Sequence, residues 1–70
     1  MKEVRSEMAG VVFRVLVQVG QEVAAGEDVV ILESMKMEIP LSSPQAGKVG
    51  EVRVAVGDFV QEGQVVVTLQ

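Results

Sequence analysis

Residues 9–33 read AGVVFRVLVQVGQEVAAGEDVVILE, and 37 positions later residues 46–70 read AGKVGEVRVAVGDFVQEGQVVVTLQ. Set one above the other without a gap, 12 of the 25 pairs are identical. An abundance of valine produces some chance matches. It does not align Gly10 with Gly47, Gly20 with Gly57 and Gly26 with Gly63. The chain is therefore written twice, as residues 1–33 and 38–70, and its fold is expected to be built from two copies of one unit.

Each copy has the same grammar. Val15, Val17 and Val19 alternate with Arg14, Leu16 and Gln18, and Val52, Val54 and Val56 repeat the alternation. A period of two predicts a strand with one face toward a core. The three-residue step from Val12 to Val15, repeated from Val49 to Val52, breaks that period and predicts a bulge or bend. A glycine turn follows, then a short hydrophobic touch (Val23, Val60), a second glycine turn and a further strand (Val29 to Leu32, Val66 to Leu69). The leading segments KEVRSEM and IPLSSPQ supply one more strand each. Two sets of about four short strands with glycine turns predict an all-β protein, a flattened barrel or sandwich of two four-stranded antiparallel sheets. Neither copy can bury its apolar face alone. They are expected to pack against each other about a pseudo-twofold axis within a monomer, with a domain-swapped dimer as the alternative.

Composition supports strands and removes several functions. Seventeen of the 70 residues are valine, whose branched Cβ suits a pleated surface. A chain this short buries only about 60% of the surface its unfolded form exposes. With no cysteine, neither a disulfide nor a thiolate metal site adds support. With no histidine, the commonest metal ligand and general base are missing. A net charge of −4 and only two aromatic residues, Phe13 and Phe59, argue against a nucleic-acid surface. The apolar runs are too short to span a bilayer. The N-terminus MKEVRSEM has acidic residues and no apolar core of a signal peptide. A cytoplasmic location is expected.

The offset leaves residues 34–37, SMKM, without a counterpart. They join the last strand of the first copy to the first strand of the second, and four residues is hairpin length. Lys36 is therefore expected at a hairpin tip, flanked by Met35 and Met37 and, farther out, by Glu33 and Glu38. A solvated turn lysine is the ordinary reading. Against it, hairpin tips usually employ Asn, Asp or Gly for their positive φ, and two methionines open apolar surface to water. The methionines could instead fold back on the sheet edge, and the glutamates could be simple strand ends. The other lysines, Lys2 and Lys48, are expected at a strand start and a turn.

These residues carry a family likeness. ESMKME, residues 33–38, resembles the attachment sequence of biotinyl domains, whose centre is Met-Lys-Met. The repeated Gly-x-Val-x-x-Val-x-Val frame resembles biotin and lipoyl attachment domains over essentially the whole chain, as a single barrel-sandwich hybrid domain. Ser34 stands where many biotinyl domains have alanine, and the gapless repeat leaves no room for the thumb loop of some carboxyl carriers. Lipoyl domains share the scaffold but typically carry Asp-Lys-Ala at the tip, so the two methionines favour biotin.

The resemblance implies a non-catalytic carrier. A biotin protein ligase would activate biotin as an acyl-adenylate, and the Lys36 amine would attack it to form an amide. Met35 and Met37, with Glu33 and Glu38 beside them, would be what the ligase reads. A biotin carboxylase and a carboxyltransferase component would be the further partners, met at high effective concentration by a tethered group. Two alternatives remain open: a lipoyl or dual carrier served by a lipoyl ligase, and an unmodified β domain used for protein contact.

Overall fold

The computed structural model describes residues 2–70, which form eight strands: β1 (Lys2–Arg5), β2 (Gly10–Val15), β3 (Glu22–Val23), β4 (Asp28–Ser34), β5 (Met37–Ser42), β6 (Gly47–Val52), β7 (Phe59–Val60) and β8 (Val65–Leu69). They make two four-stranded antiparallel sheets, ordered β1-β8-β6-β3 and β5-β4-β2-β7. Adding or subtracting 37 converts the first order into the second, strand for strand. The two halves do not each form a sheet, as packing copy against copy would have them do. Each sheet takes two strands from either half, so the halves interleave and every strand pairing but β2–β4 and β6–β8 crosses between them.

Hydrogen bonds follow the same offset. Gly20 N–H donates to Val49 O and Gly57 N–H to Val12 O, both at 2.9 Å. Ser6 N–H donates to Gln64 O and Ser43 N–H to Glu27 O, again both at 2.9 Å. Side chains repeat the pattern even where the residue differs. Gln21 Oε1 accepts from Gln18 N–H, and Asp58 Oδ2 accepts from Ala55 N–H. Ser6 and Ser43 are buried, and their hydroxyls donate to the carbonyls of Met8 and Gln45. A buried hydroxyl costs little when so satisfied.

The core lies between the sheets and is nearly all aliphatic. Val12, Val30, Leu32 and Leu41 from one sheet meet Val4, Val49, Val67 and Leu69 from the other. Buried and exposed side chains alternate along β2, as the pleat requires, whereas the central strands β4 and β8 bury adjacent valines, Val29 with Val30 and Val66 with Val67. The expected bulges are present: the register shifts between Val12 and Arg14 in β2, and between Val49 and Glu51 in β6. The extra residue is Phe13 in one and Gly50 in the other. Beside Gly50, Thr68 Oγ1 is buried without a hydrogen-bond partner among the described residues; its counterpart at the offset is Ile31.

Two expectations change. The strand expected to run on to Val19 and Val56 stops at Val15 and Val52. Leu16 N–H still donates to Val29 O, but by Gln18 the chain has turned, with Gln21 N–H donating to Gln18 O. Val17 and Val54 stay buried, while Val19 and Val56 are exposed on the turns. Lys48 lies within β6, opposite Glu22, and not in a turn.

The turns give a test of the equivalence. Gly20 has φ 90° and Gly57 φ 96°, a left-handed conformation that side chains with a Cβ avoid. A Cβ built on either meets nothing within 4 Å, so the penalty for a side chain is conformational and not a clash. Gly20→Val and Gly57→Val are each expected to lower the unfolding free energy by more than about 1 kcal/mol, and by similar amounts. Denaturant melts of the two variants measure it; one harmless and one severe substitution would show that the halves are not structural equivalents.

Candidate functional site

β4 and β5 form a ladder from Asp28↔Ser42 up to Leu32↔Ile39, Glu33↔Glu38 and Ser34↔Met37. The connector is thus shorter than the four residues expected. Ser34 and Met37 are the last paired rung, and only Met35 and Lys36 turn the chain. A two-residue hairpin loop of type I′ needs positive φ at both central positions. Met35 has φ 53° and Lys36 φ 63°, the only non-glycine residues with positive φ among those described.

Each such residue costs about 1–2 kcal/mol relative to ordinary backbone. An Asn-Gly pair would close the same turn without that strain. The strained turn is held by what lies below it: Leu32 fully buried, Ile39 opposite it, and Val30 paired with Leu41 in the core. Slipping the ladder by one residue would turn those side chains out to solvent. The register therefore fixes residue 36 at the tip.

The tip is open. Met35 is 91% exposed and Met37 62%, so neither folds back as a core side chain. Lys36 is exposed, and the one ion pair among the described residues, Arg5 to Glu3 at 2.6 Å, lies elsewhere. Its Nζ makes no hydrogen bond among the described residues. Glu33 and Glu38 face each other directly across β4 and β5, both exposed. Like charges at opposed positions are mildly destabilising, and no cation among the described residues pairs with these two. Glu33, Met35, Lys36, Met37 and Glu38 thus occupy the last two rungs and the turn of a single hairpin.

Two further residues lie beside them that the alternation of the repeat does not single out. Val11 lies opposite Glu33 on β2, and Phe59 lies opposite Val11 on β7. Glu38, Glu33, Val11 and Phe59 form one outward row across all four strands. The signal was present at the positions where the repeats differ, since Val11 stands over Lys48 and Phe59 over Glu22.

No pocket opens among the described residues. What the geometry offers is presentation: one amine on a four-carbon stem, clear of the body, on a backbone held in a single register. The chain belongs to the family of biotin/lipoyl attachment domains, whose model, described as "Biotin-requiring enzyme", matches residues 2–69. It is 48% identical over 63 residues to a biotin/lipoyl attachment protein of Bacillus subtilis, covering 90% of this chain and 86% of that one. It is 41% identical over 68 residues to a biotinylated protein (TB7.3 homolog) of Mycobacterium leprae, covering 97% of this chain and 96% of that one. Among solved structures, the urea carboxylase of Kluyveromyces lactis contains a matching domain, with a TM-score of 0.92 and 32% identity. The match covers 99% of this chain and 6% of that enzyme.

Proposed function

We propose that Lys36 is the point of covalent biotin attachment and that the chain acts as a cytoplasmic carboxyl carrier. The observation that carries this reading is the tip itself. Two non-glycine residues hold a strained turn whose outcome is one unencumbered lysine amine, in a chain of the biotin/lipoyl family. Lys36 fits an amide linkage: its Nζ is open to solvent, and no partner need be displaced before it reacts.

In the attachment step, Lys36 Nζ attacks the activated carboxyl carbon of biotin on a ligase. The new C–N bond forms as the activating group leaves with the electrons of the old C–O bond, and the ligase takes the amine proton. A charged ammonium has no lone pair to attack with, so deprotonation is the ligase's task. Met35 and Met37 are the apolar side chains the ligase meets on either side of the amine, with Glu33 and Glu38 beneath them. Once attached, biotin supplies the group that takes up carboxylate at one enzyme and gives it up at another. The β-sandwich contributes a stiff base, so the attached arm sweeps a limited volume at high effective concentration. Carboxylase and carboxyltransferase components are the partners this implies, as the urea carboxylase likeness suggests.

A second reading, lipoate on the same lysine, is favoured by the name of the Bacillus subtilis relative. Intact mass separates the two after incubation with a biotin ligase, biotin and ATP, or with a lipoyl ligase and its substrates. One biotin increment is expected in the first reaction. A protein left unmodified by both would overturn the carrier reading.

A further inference from the structure

The offset of 37 gives every outward position on one sheet a counterpart on the other, and the two outer faces differ sharply. On β1-β8-β6-β3 the exposed side chains include Glu22 and Lys48, with Gly50 at the bulge and Thr68 buried beside it. Their counterparts on the hairpin sheet are Phe59, Val11, Ile31 and Phe13. Phe59 is 61% exposed, and Val11 and Phe13 are exposed as well. None of the three contributes to the core between the sheets. The fold does not need them apolar, because Glu22 faces Lys48 at the equivalent rung of the other sheet and that rung forms.

This apolar surface is continuous with the attachment hairpin. The row Glu38–Glu33–Val11–Phe59 is the rung next to Ser34–Met37, so it lies within a few residues' rise, about 3.4 Å each, of the turn. On the row below stand the bulged Phe13 and the half-buried Ile31, whose paired residue on β2 is the exposed Arg14. We propose that this face docks the ligase that acylates Lys36, through a surface apolar at its centre and basic where it meets Glu33 and Glu38. The inference rests on Lys36 being the attachment site.

Reach selects the ligase from the partners. Its reacting atom is Lys36 Nζ itself, only a four-carbon stem from the backbone, so its active-site rim must come down against the first rungs of the sheet. An enzyme that acts at the far end of an attached arm has no such requirement. Area argues against a second copy of this chain as the occupant. Three strand spacings of about 4.8 Å and two rows about 7 Å apart span far less than the roughly 800 Å² per partner of a stable interface. A brief enzyme–substrate encounter needs no more.

The other sheet supplies the substitution. Val11→Lys with Phe59→Glu installs the pair that Lys48 and Glu22 already form, at a rung of the same geometry. Steady-state biotinylation by a biotin protein ligase, with biotin and ATP saturating and the carrier varied, should show KM raised about tenfold or more with kcat little changed, the mark of lost docking. A thermal melt checks the fold, and Phe59→Ser alone serves as a milder variant should the pair fail to fold. Unlabelled parent protein would overturn the attachment reading and this inference with it. Labelled parent with unchanged kcat/KM in a folded variant would overturn the docking face alone. So would a parent dimer that the variant converts to monomer, or unimpaired ligation accompanied by slower carboxylation by a carboxylase, since each assigns the face to another occupant.

Discussion

Lys36→Ala is expected to take up no biotin in a reaction that modifies the parent chain to completion, read as a missing increment in intact mass. The expectation comes from where the three lysines stand. Lys2 opens β1, with its Nζ 3.5 Å from Ala46 O. Lys48 sits within β6 opposite Glu22. Neither lies on a turn, and a ligase approaching either amine would meet a sheet and not a protruding tip. Lys36 alone stands on a two-residue loop with its side chain free. Stability should move by no more than about 0.5 kcal/mol, since the site is exposed and alanine at φ 63° bears much the same strain as lysine. Lys36→Arg keeps the charge and the stem but removes the nucleophilic amine, and it should be equally unlabelled. Biotin remaining on either variant would place the attachment elsewhere and end the carrier reading as stated.

Much of this arrangement could be read in the sequence, for reasons visible residue by residue. Aliphatic alternation and aligned glycines mark segments and turns locally, which is why β4 and β8, the Val23 and Val60 touches and both bulges were legible. Strand pairing is not local. A period of two says which face a side chain takes but not which strand lies beside it, so the interleaving of the halves was hidden. Val19 and Val56 misled because they continue the alternation by two residues after the backbone has turned. Ser6 and Ser43 are identical at the same offset, just ahead of the quoted stretch. Their burial depends on hydroxyls satisfied two residues along the chain, which no hydrophobic pattern registers. At the tip, Lys36 stood out because SMKM has no counterpart. The two-residue turn was concealed because neither Met35 nor Lys36 is a residue that advertises positive φ. The apolar outer face lay in the mismatched positions of the repeat, while the matched ones carried the fold.

Replacing both methionines, Met35→Asp with Met37→Ala, should separate recognition from folding. If the methionines served packing, the double variant would loosen the hairpin and lose modification only as the fold failed. Their exposure argues otherwise: with 91% and 62% of their surfaces open, they remove little apolar area from water, and truncation should forfeit little. Met35 also holds φ 53°, where aspartate is better tolerated than an unbranched apolar side chain because its carboxylate can bond locally to the backbone. The added negative charge works the other way, since Glu33 and Glu38 already face each other one rung below the closing pair. These terms oppose each other, so a cooperative melt within about 1 kcal/mol of the parent is expected. Biotinylation should nevertheless fall sharply, because the ligase would meet a carboxylate and a methyl group where two flexible thioether chains had flanked the amine. The variant carries Asp-Lys-Ala at the tip, the sequence typical of lipoyl domains, and lipoate incorporation by a lipoyl ligase should rise relative to biotin. Thermal melts paired with intact mass after each ligase decide the matter. A stable double variant that accepts biotin as fast as the parent would show that the ligase reads Lys36 by something other than its two methionines.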